Sequence, residues 1–194
     1  MQRTLRPSPA ARAVYALVLV SAMTLWASAA LAQSLVLSNL VVDNKAGSLT
    51  AHFGVSVDAV ATLAEGLQSG GALALTCKAK LNKKSGLFGS PQIAAAGLTS
   101  RLKYDSLTKE YSLQLPGREA ALKNAGLHDL LREGWGGLTL DMGSWQMLER
   151  DQEYTLTLDI RLQQTDIPNW FKRTLFFWAW DVTPSGTYQR HFKY

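Results

Sequence analysis

Chemistry in this chain would have to rest on three histidines, one cysteine and a few carboxylates. His52, His128 and His191 are widely separated, and none has a second histidine or a cysteine at ligand spacing. A metal site would therefore need three distant contributions to converge in the fold. Cys77 lies in the alternating run Leu73, Leu75, Cys77, Ala79, Leu81, on its apolar phase. Burial raises a thiol's pKa and leaves it inert, so this reads as a structural cysteine. A serine nucleophile on a sharp turn needs the pattern G-x-S-x-G; Ser144 follows Gly143, but no glycine stands two residues later. The glycine cluster at 134–137 (GWGG) lacks the lysine and following helix of a phosphate-binding loop. Asp141, Glu149 and Asp151 cluster near Trp145, as glycoside hydrolysis would want, yet separation across a cleft is not encoded in sequence spacing. The same residues fit a solvated turn before a strand. These patterns call for no enzyme, no cofactor and no metal.

Two features point to binding rather than reaction. The first is the basic run Lys78, Lys80, Lys83, Lys84. Lys78 and Lys80 share the outward phase of one strand, and Lys83 and Lys84 continue into a loop. Such a run attracts an anionic surface, although lysines also mark a solvated face or an edge strand guarded against pairing. The second is residues 168–180, PNWFKRTLFFWAW, which hold three of the six tryptophans. Large aromatics are first of all core material. Trp170, Phe171 and Trp178, with Lys172 and Arg173 beside them, form the candidate binding patch, because aromatics with basic neighbours also suit an interface.

The elements that must position these residues are mostly strands. Period-two alternation covers 49–57, 73–82 and 154–163, with weaker strands at 35–43, 98–104, 111–115, 138–141, 174–182 and 187–193. Apolar-in, polar-out alternation indicates antiparallel sheets with one wet face. A short helix fits Val60, Leu63, Ala64 and Leu67, with Asp58 as its cap and Gly70 as its stop. A second helical pattern runs over 118–132, as one helix or as two short ones divided at Gly126. Turns are signalled at 44–47, 105–106, 149–153 and 184–186, and 82–97 reads as the longest irregular loop. The expected fold is mainly β: an antiparallel two-layer β-sandwich, immunoglobulin-like, with two short helical insertions.

Residues 1–32 read as a secretory leader: arginines at 3, 6 and 12, an apolar run at 13–26, then Ala30-Leu31-Ala32 before Gln33. That run is shorter than the ~20 residues a spanning helix needs. Retention of the leader as an anchor is the alternative to cleavage. Removal leaves roughly 160 residues, enough for one domain with its own core. The leader arginines supply three of the five net positive charges, so the remainder is near neutral, unlike a nucleic-acid-binding domain. One cysteine excludes a disulfide framework within the chain. With 47% apolar and 18% charged residues, the composition is that of a folded protein, and the leader is expected to direct it beyond the cytoplasmic membrane, periplasmic or extracellular.

Four local patterns together carry a family resemblance. They are LTAHFGVSVDAVATLAEGLQSGGALALTCKAKL at 49–81, the hairpin RLKYDSLTKEYSL from Arg101, REAAL at 118–122, and the long strand EYTLTLDIRLQQTDIP ahead of an aromatic C-terminal pair. In these the chain resembles the exported bacterial proteins grouped as domain of unknown function 4390. RLKYDSLTKEY is the most specific stretch, and the aromatic-dense WFKRTLFFWAW departs from the pattern. The resemblance brings no catalytic residue. It implies a partner in the cell envelope, a membrane sensor kinase, because genes of this family often neighbour such kinases.

The expected function is that of a secreted, non-enzymatic binding or accessory module of the cell envelope. It would recognise a protein partner such as a membrane sensor through the aromatic C-terminal strands and an adjacent loop. Three rivals stand beside it. A carbohydrate-binding module would use Trp135, Trp145 or Trp170 as stacking platforms. A peripheral membrane-surface protein would use Lys83, Lys84, Lys172 and Arg173. An envelope hydrolase would need convergent titratable groups in a cleft.

Overall fold

A computed structural model describes residues 35–85, 89–165 and 185–194. All belong to one compact unit, Gln33–Tyr194. The chain opens with β1 (Leu35–Lys45) and β2 (Ser48–Val57), followed by helix α1 (Val60–Gln68). Then come β3 (Ala72–Lys83), β4 (Gln92–Asp105), β5 (Glu110–Gln114) and β6 (Leu122–Asn124). Helix α2 (Leu127–Trp135) leads to β7 (Leu138–Ser144), a 3-10 turn (Trp145–Met147), β8 (Glu153–Thr165) and β9 (Ser185–Lys193). The strands form two antiparallel sheets, ordered β1-β2-β7 and β6-β5-β4-β3-β8-β9. The fold is mainly β with two short helices, in a sandwich-like arrangement.

Pleating explains why the two sheets need each other. Successive side chains leave a strand on opposite faces. On the inward phase β2 buries Leu49, Ala51, Phe53, Val55 and Val57; β3 buries Leu73, Leu75, Cys77, Ala79 and Leu81; β8 buries Tyr154, Leu156, Leu158, Ile160 and Leu162. All fifteen join one hydrophobic core, to which α1 adds Leu63 and Leu67 and α2 adds Leu127, Leu130, Leu131 and Trp135. Each fully covered leucine contributes about 1.5–3 kcal/mol relative to exposure, so the inward phase dominates the stability of both sheets. At the sandwich flank the Tyr188 hydroxyl of β9 donates to the Leu35 carbonyl of β1 at 2.8 Å, tying one sheet to the other.

Local signals account for the turns. The β1–β2 hairpin closes through Ala46 (φ 51°) and Gly47 (φ 87°), a left-handed pair that matches the twist of the flanking strands. Asn44 Oδ1 accepts from the Gly47 N–H at 2.9 Å and holds that turn. At the β4–β5 turn Asp105 Oδ1 accepts from the N–H of Leu107 at 2.9 Å and of Thr108 at 3.3 Å. These are the turns expected at 44–47 and 105–106.

Three local expectations are corrected. The pattern at 118–132 is not a helix throughout: Leu122–Asn124 pairs as strand β6 with Tyr111–Leu113, and only Leu127–Trp135 is helical. Asn124 Oδ1 accepts from the Gly126 N–H at 2.8 Å, which ends the strand and turns the chain into α2. Pairing along β5 outweighs the helix propensity of the preceding Glu-Ala-Ala-Leu run. The N-cap position of α1 is Ala59, one residue beyond the expected Asp58, while Gly70 (φ 92°) does stop the helix. The stretch 82–97 is not one long loop, because β3 runs to Lys83 and β4 starts at Gln92. Ala94, Ala95, Ala96 and Gly97 follow the pleat, but small side chains do not display its alternation. The strand expected at 174–182 and Pro184 lie outside the described residues.

Candidate functional site

The basic run divides in two once the chain is folded. Lys83 Nζ donates to Glu149 Oε2 at 2.6 Å and Lys84 Nζ to Glu153 Oε2 at 2.6 Å. Both carboxylates come from the β7–β8 connection and the start of β8, brought alongside because β8 pairs with β3 along its whole length. The Lys84 ammonium, through hydrogen bond and charge, holds the Glu153 carboxyl below the usual glutamate range. Lys83 and Lys84 are therefore already neutralised, and the expectation that all four lysines present open charge is corrected. Lys78 and Lys80 are exposed on the outward face of β3, and neither makes an ion pair among the described residues. The edge-strand reading fails too, since β3 lies between β4 and β8 in the middle of the larger sheet.

Strand order gives Lys78 and Lys80 new neighbours. Lys78 stands opposite Gly97 of β4 and Asp159 of β8; Lys80 stands opposite Ala95 and Thr157. One pleat further, Thr76 is flanked by Thr99 and Arg161; beyond it Ala74 is flanked by Arg101 and Gln163. Residues directly opposite in a sheet project from the same face. The outward face of β4, β3 and β8 thus carries Lys78, Lys80, Arg101 and Arg161, with threonine hydroxyls between them. Its central acid is Asp159, whose Oδ1 accepts from the Thr187 hydroxyl at 2.6 Å. The arginines were not expected here, because nothing in the local sequence says that β4 and β8 flank β3.

The outward face of the smaller sheet holds the one built histidine. His52 Nδ1 lies 2.9 Å from Thr139 Oγ1 and its Nε2 lies 3.2 Å from Thr50 Oγ1. The Thr50 hydroxyl also donates to the Asp43 carbonyl at 3.1 Å. Both ring nitrogens are occupied by strand neighbours, an arrangement that braces the sheet face. His191 Nδ1 pairs with Thr155 Oγ1 at 2.9 Å, and exposed His128 lies 3.6 Å from Asp129.

The remaining chemical candidates are placed individually. Asp141 Oδ1 accepts from the Gly143 N–H at 2.8 Å, Glu149 pairs with Lys83, and Asp151 pairs with Lys193 at 3.2 Å. These carboxylates are held by separate partners rather than paired across a cleft. Cys77 is fully buried, and desolvation pushes its thiol pKa up to about 12. Trp135 is no stacking platform: it is 0% exposed and donates its indole N–H to Ser100 Oγ at 2.7 Å. Helix α2 runs past the expected end of the helical pattern at Arg132 to Trp135 and points that side chain into the core. Trp145 is half-buried, with its ring edge-on to Tyr194 at 5.2 Å. The aromatic patch Trp170, Phe171, Lys172, Arg173 and Trp178 lies outside the described residues.

The family model named Domain of unknown function (DUF4390) matches residues 32–191, and the chain belongs to that family. No curated protein and no solved structure matches it. Among the described residues no helix is long and apolar enough to cross a membrane.

Proposed function

We propose that this protein is an exported, non-enzymatic binding or accessory module of the cell envelope that recognises a protein partner, a membrane sensor in the simplest case. The observation that carries this reading is the outward face of β4, β3 and β8, a broad polar sheet surface with four cations that the fold leaves without ion-pair partners among the described residues. A rigid sheet held by a single core suits recognition, because the surface is organised before binding and little ordering cost remains. Leader-like residues at 1–32 support export, and the family resemblance supports an envelope setting.

Site-specific photo-cross-linking in intact cells tests the reading. A photoreactive residue at Thr157, on the sheet face, is expected to give a discrete adduct with an envelope protein, and one at the exposed Glu65 of α1 is expected to give none. Absence of any adduct from the sheet face, with the protein folded and exported, overturns the proposal. Recovery of the full-length protein from the cytoplasm with its leader intact overturns the exported part.

A further inference from the structure

We infer that the outward face of β4, β3 and β8, centred on Lys78, Lys80, Arg101 and Arg161, is the docking surface for an extended acidic segment of the partner protein; this rests on the partner reading above. The argument begins with charge. Of the four lysines in the basic run, the two in the β3–β4 corner are matched by glutamates at 2.6 Å, whereas the two on the open sheet are not. Arg101 and Arg161 join them through strand pairing alone. Among the described residues Asp159 is the one acid in the middle of this field, and its Oδ1 accepts from the Thr187 hydroxyl. A cationic field left open on a solvated sheet attracts an anionic partner and steers its approach.

Spacing identifies the form of that partner. Lys78 and Lys80 are two residues apart on one strand, about 6.8 Å along its axis, and an extended peptide repeats its side chains at that same interval. Carboxylates on alternate residues of such a segment would meet successive lysines. Arg101 and Arg161 flank β3 from opposite sides, and their planar guanidinium groups match carboxylates with two parallel hydrogen bonds. On the β4 side, Gly97 and Ala95 stand beside Lys78 and Lys80 and add little side-chain bulk to that face. Thr76 and Thr99, whose hydroxyls lie 3.4 Å apart, and Thr157 offer neutral hydrogen-bonding groups to a peptide backbone lying there.

The same surface suits lipid and sugar less well. Stable membrane contact from basic residues needs a second, apolar signal. Among the described residues the exposed large hydrophobics are Val36, Val41, Leu107, Met147 and Tyr194, and none lies on β3, β4 or β8. Nor, among the described residues, does an exposed aromatic ring stand among Lys78, Lys80, Arg101 and Arg161 for a sugar to stack on.

Fluorescence anisotropy of a dye-labelled peptide of alternating glutamate and threonine, titrated with the purified protein, tests the surface. Binding is expected to weaken as salt rises, and the double variant K78E/K80E is expected to lose at least about tenfold in affinity. K78R/K80R should retain binding, and K83Q/K84Q/E149Q/E153Q should stay within about twofold because removing both members of each exposed pair leaves the net charge unchanged. Far-ultraviolet circular dichroism of each variant confirms that the fold is kept. Equal affinity of wild type and K78E/K80E overturns the inference. So does an equal loss in K83Q/K84Q/E149Q/E153Q, or sedimentation with phosphatidylglycerol vesicles by a protein that ignores the peptide. If the Thr157 cross-link to an envelope protein persists in K78E/K80E, this surface is overturned while the partner reading stands. If no cross-link forms at all, the partner reading itself falls.

Discussion

Trp135, the last residue of α2, donates its indole N–H to the hydroxyl of Ser100 in β4 at 2.7 Å, and both residues are 0% exposed. The bond joins the C-terminal end of a helix to the inward face of the larger sheet. Ser100→Ala leaves a buried N–H without an acceptor, a cost of about 1–3 kcal/mol. Trp135→Phe removes the donor and also opens a cavity. The double variant S100A/W135F should be less destabilised than the two single losses summed, because the orphaned group disappears with its partner. Urea unfolding of the four proteins measures that coupling, and strict additivity would show that the bond contributes nothing.

Cys77 should resist alkylation by a small maleimide in the native state, because its thiol is buried on the inward face of β3 and its pKa is pushed up to about 12. Thiolate is the reacting form, so at neutral pH little is available. The labelling rate should rise with urea in step with unfolding. Fast labelling of the native protein would contradict the placement of β3.

Gly134 separates helix propensity from packing. Alanine there should gain about 1 kcal/mol from propensity alone. A Cβ at Gly134, however, would collide with Leu113 Cδ2, and Leu113 is itself 0% exposed. Overpacking of that kind costs about 1–3 kcal/mol, so Gly134→Ala should lower the melting temperature. Gly137→Ala is the control, since a Cβ there meets no atom within 4 Å. A rise for G134A would mean that α2 sits further from β5 than described.

The Lys84–Glu153 pair predicts a pH dependence with a definite sign. The Glu153 carboxyl is held below its ordinary value, first by the hydrogen bond from Lys84, then by its charge. A carboxyl lowered on folding adds stability that is complete above its unfolded pKa and disappears as pH falls through the folded one. In Lys84→Met the Glu153 titration should move back up, and acid unfolding should begin at higher pH. Carboxyl-resolved NMR titration reads the first effect and circular dichroism the second. An unmoved Glu153 would show the ion pair to be averaged out in solution.

The site was legible in part. Alternation placed Lys78 and Lys80 outward and Cys77 inward, because each depends only on the pleat of its own strand. It also found the strands at 49–57, 73–82 and 154–163 nearly to their ends. It missed β6, where three residues of helix-compatible sequence pair with β5, and it missed the first half of β4, where alanines and glycine hide the pleat. Helix-versus-strand ambiguity is greatest where side chains are small.

What the chain determines locally is phase: which side of a strand is greasy, which is wet, and where the hairpins bend. Those follow from nearest-neighbour geometry and the transfer of apolar groups out of water. The tertiary structure decided which strands lie side by side. By setting β8 along β3 it matched Glu149 and Glu153 to Lys83 and Lys84, and it carried Arg161 to the neighbourhood of Lys78. Pairing partners are chosen by the whole core closing at once, so the charge left open on the sheet is a property of the fold rather than of any segment.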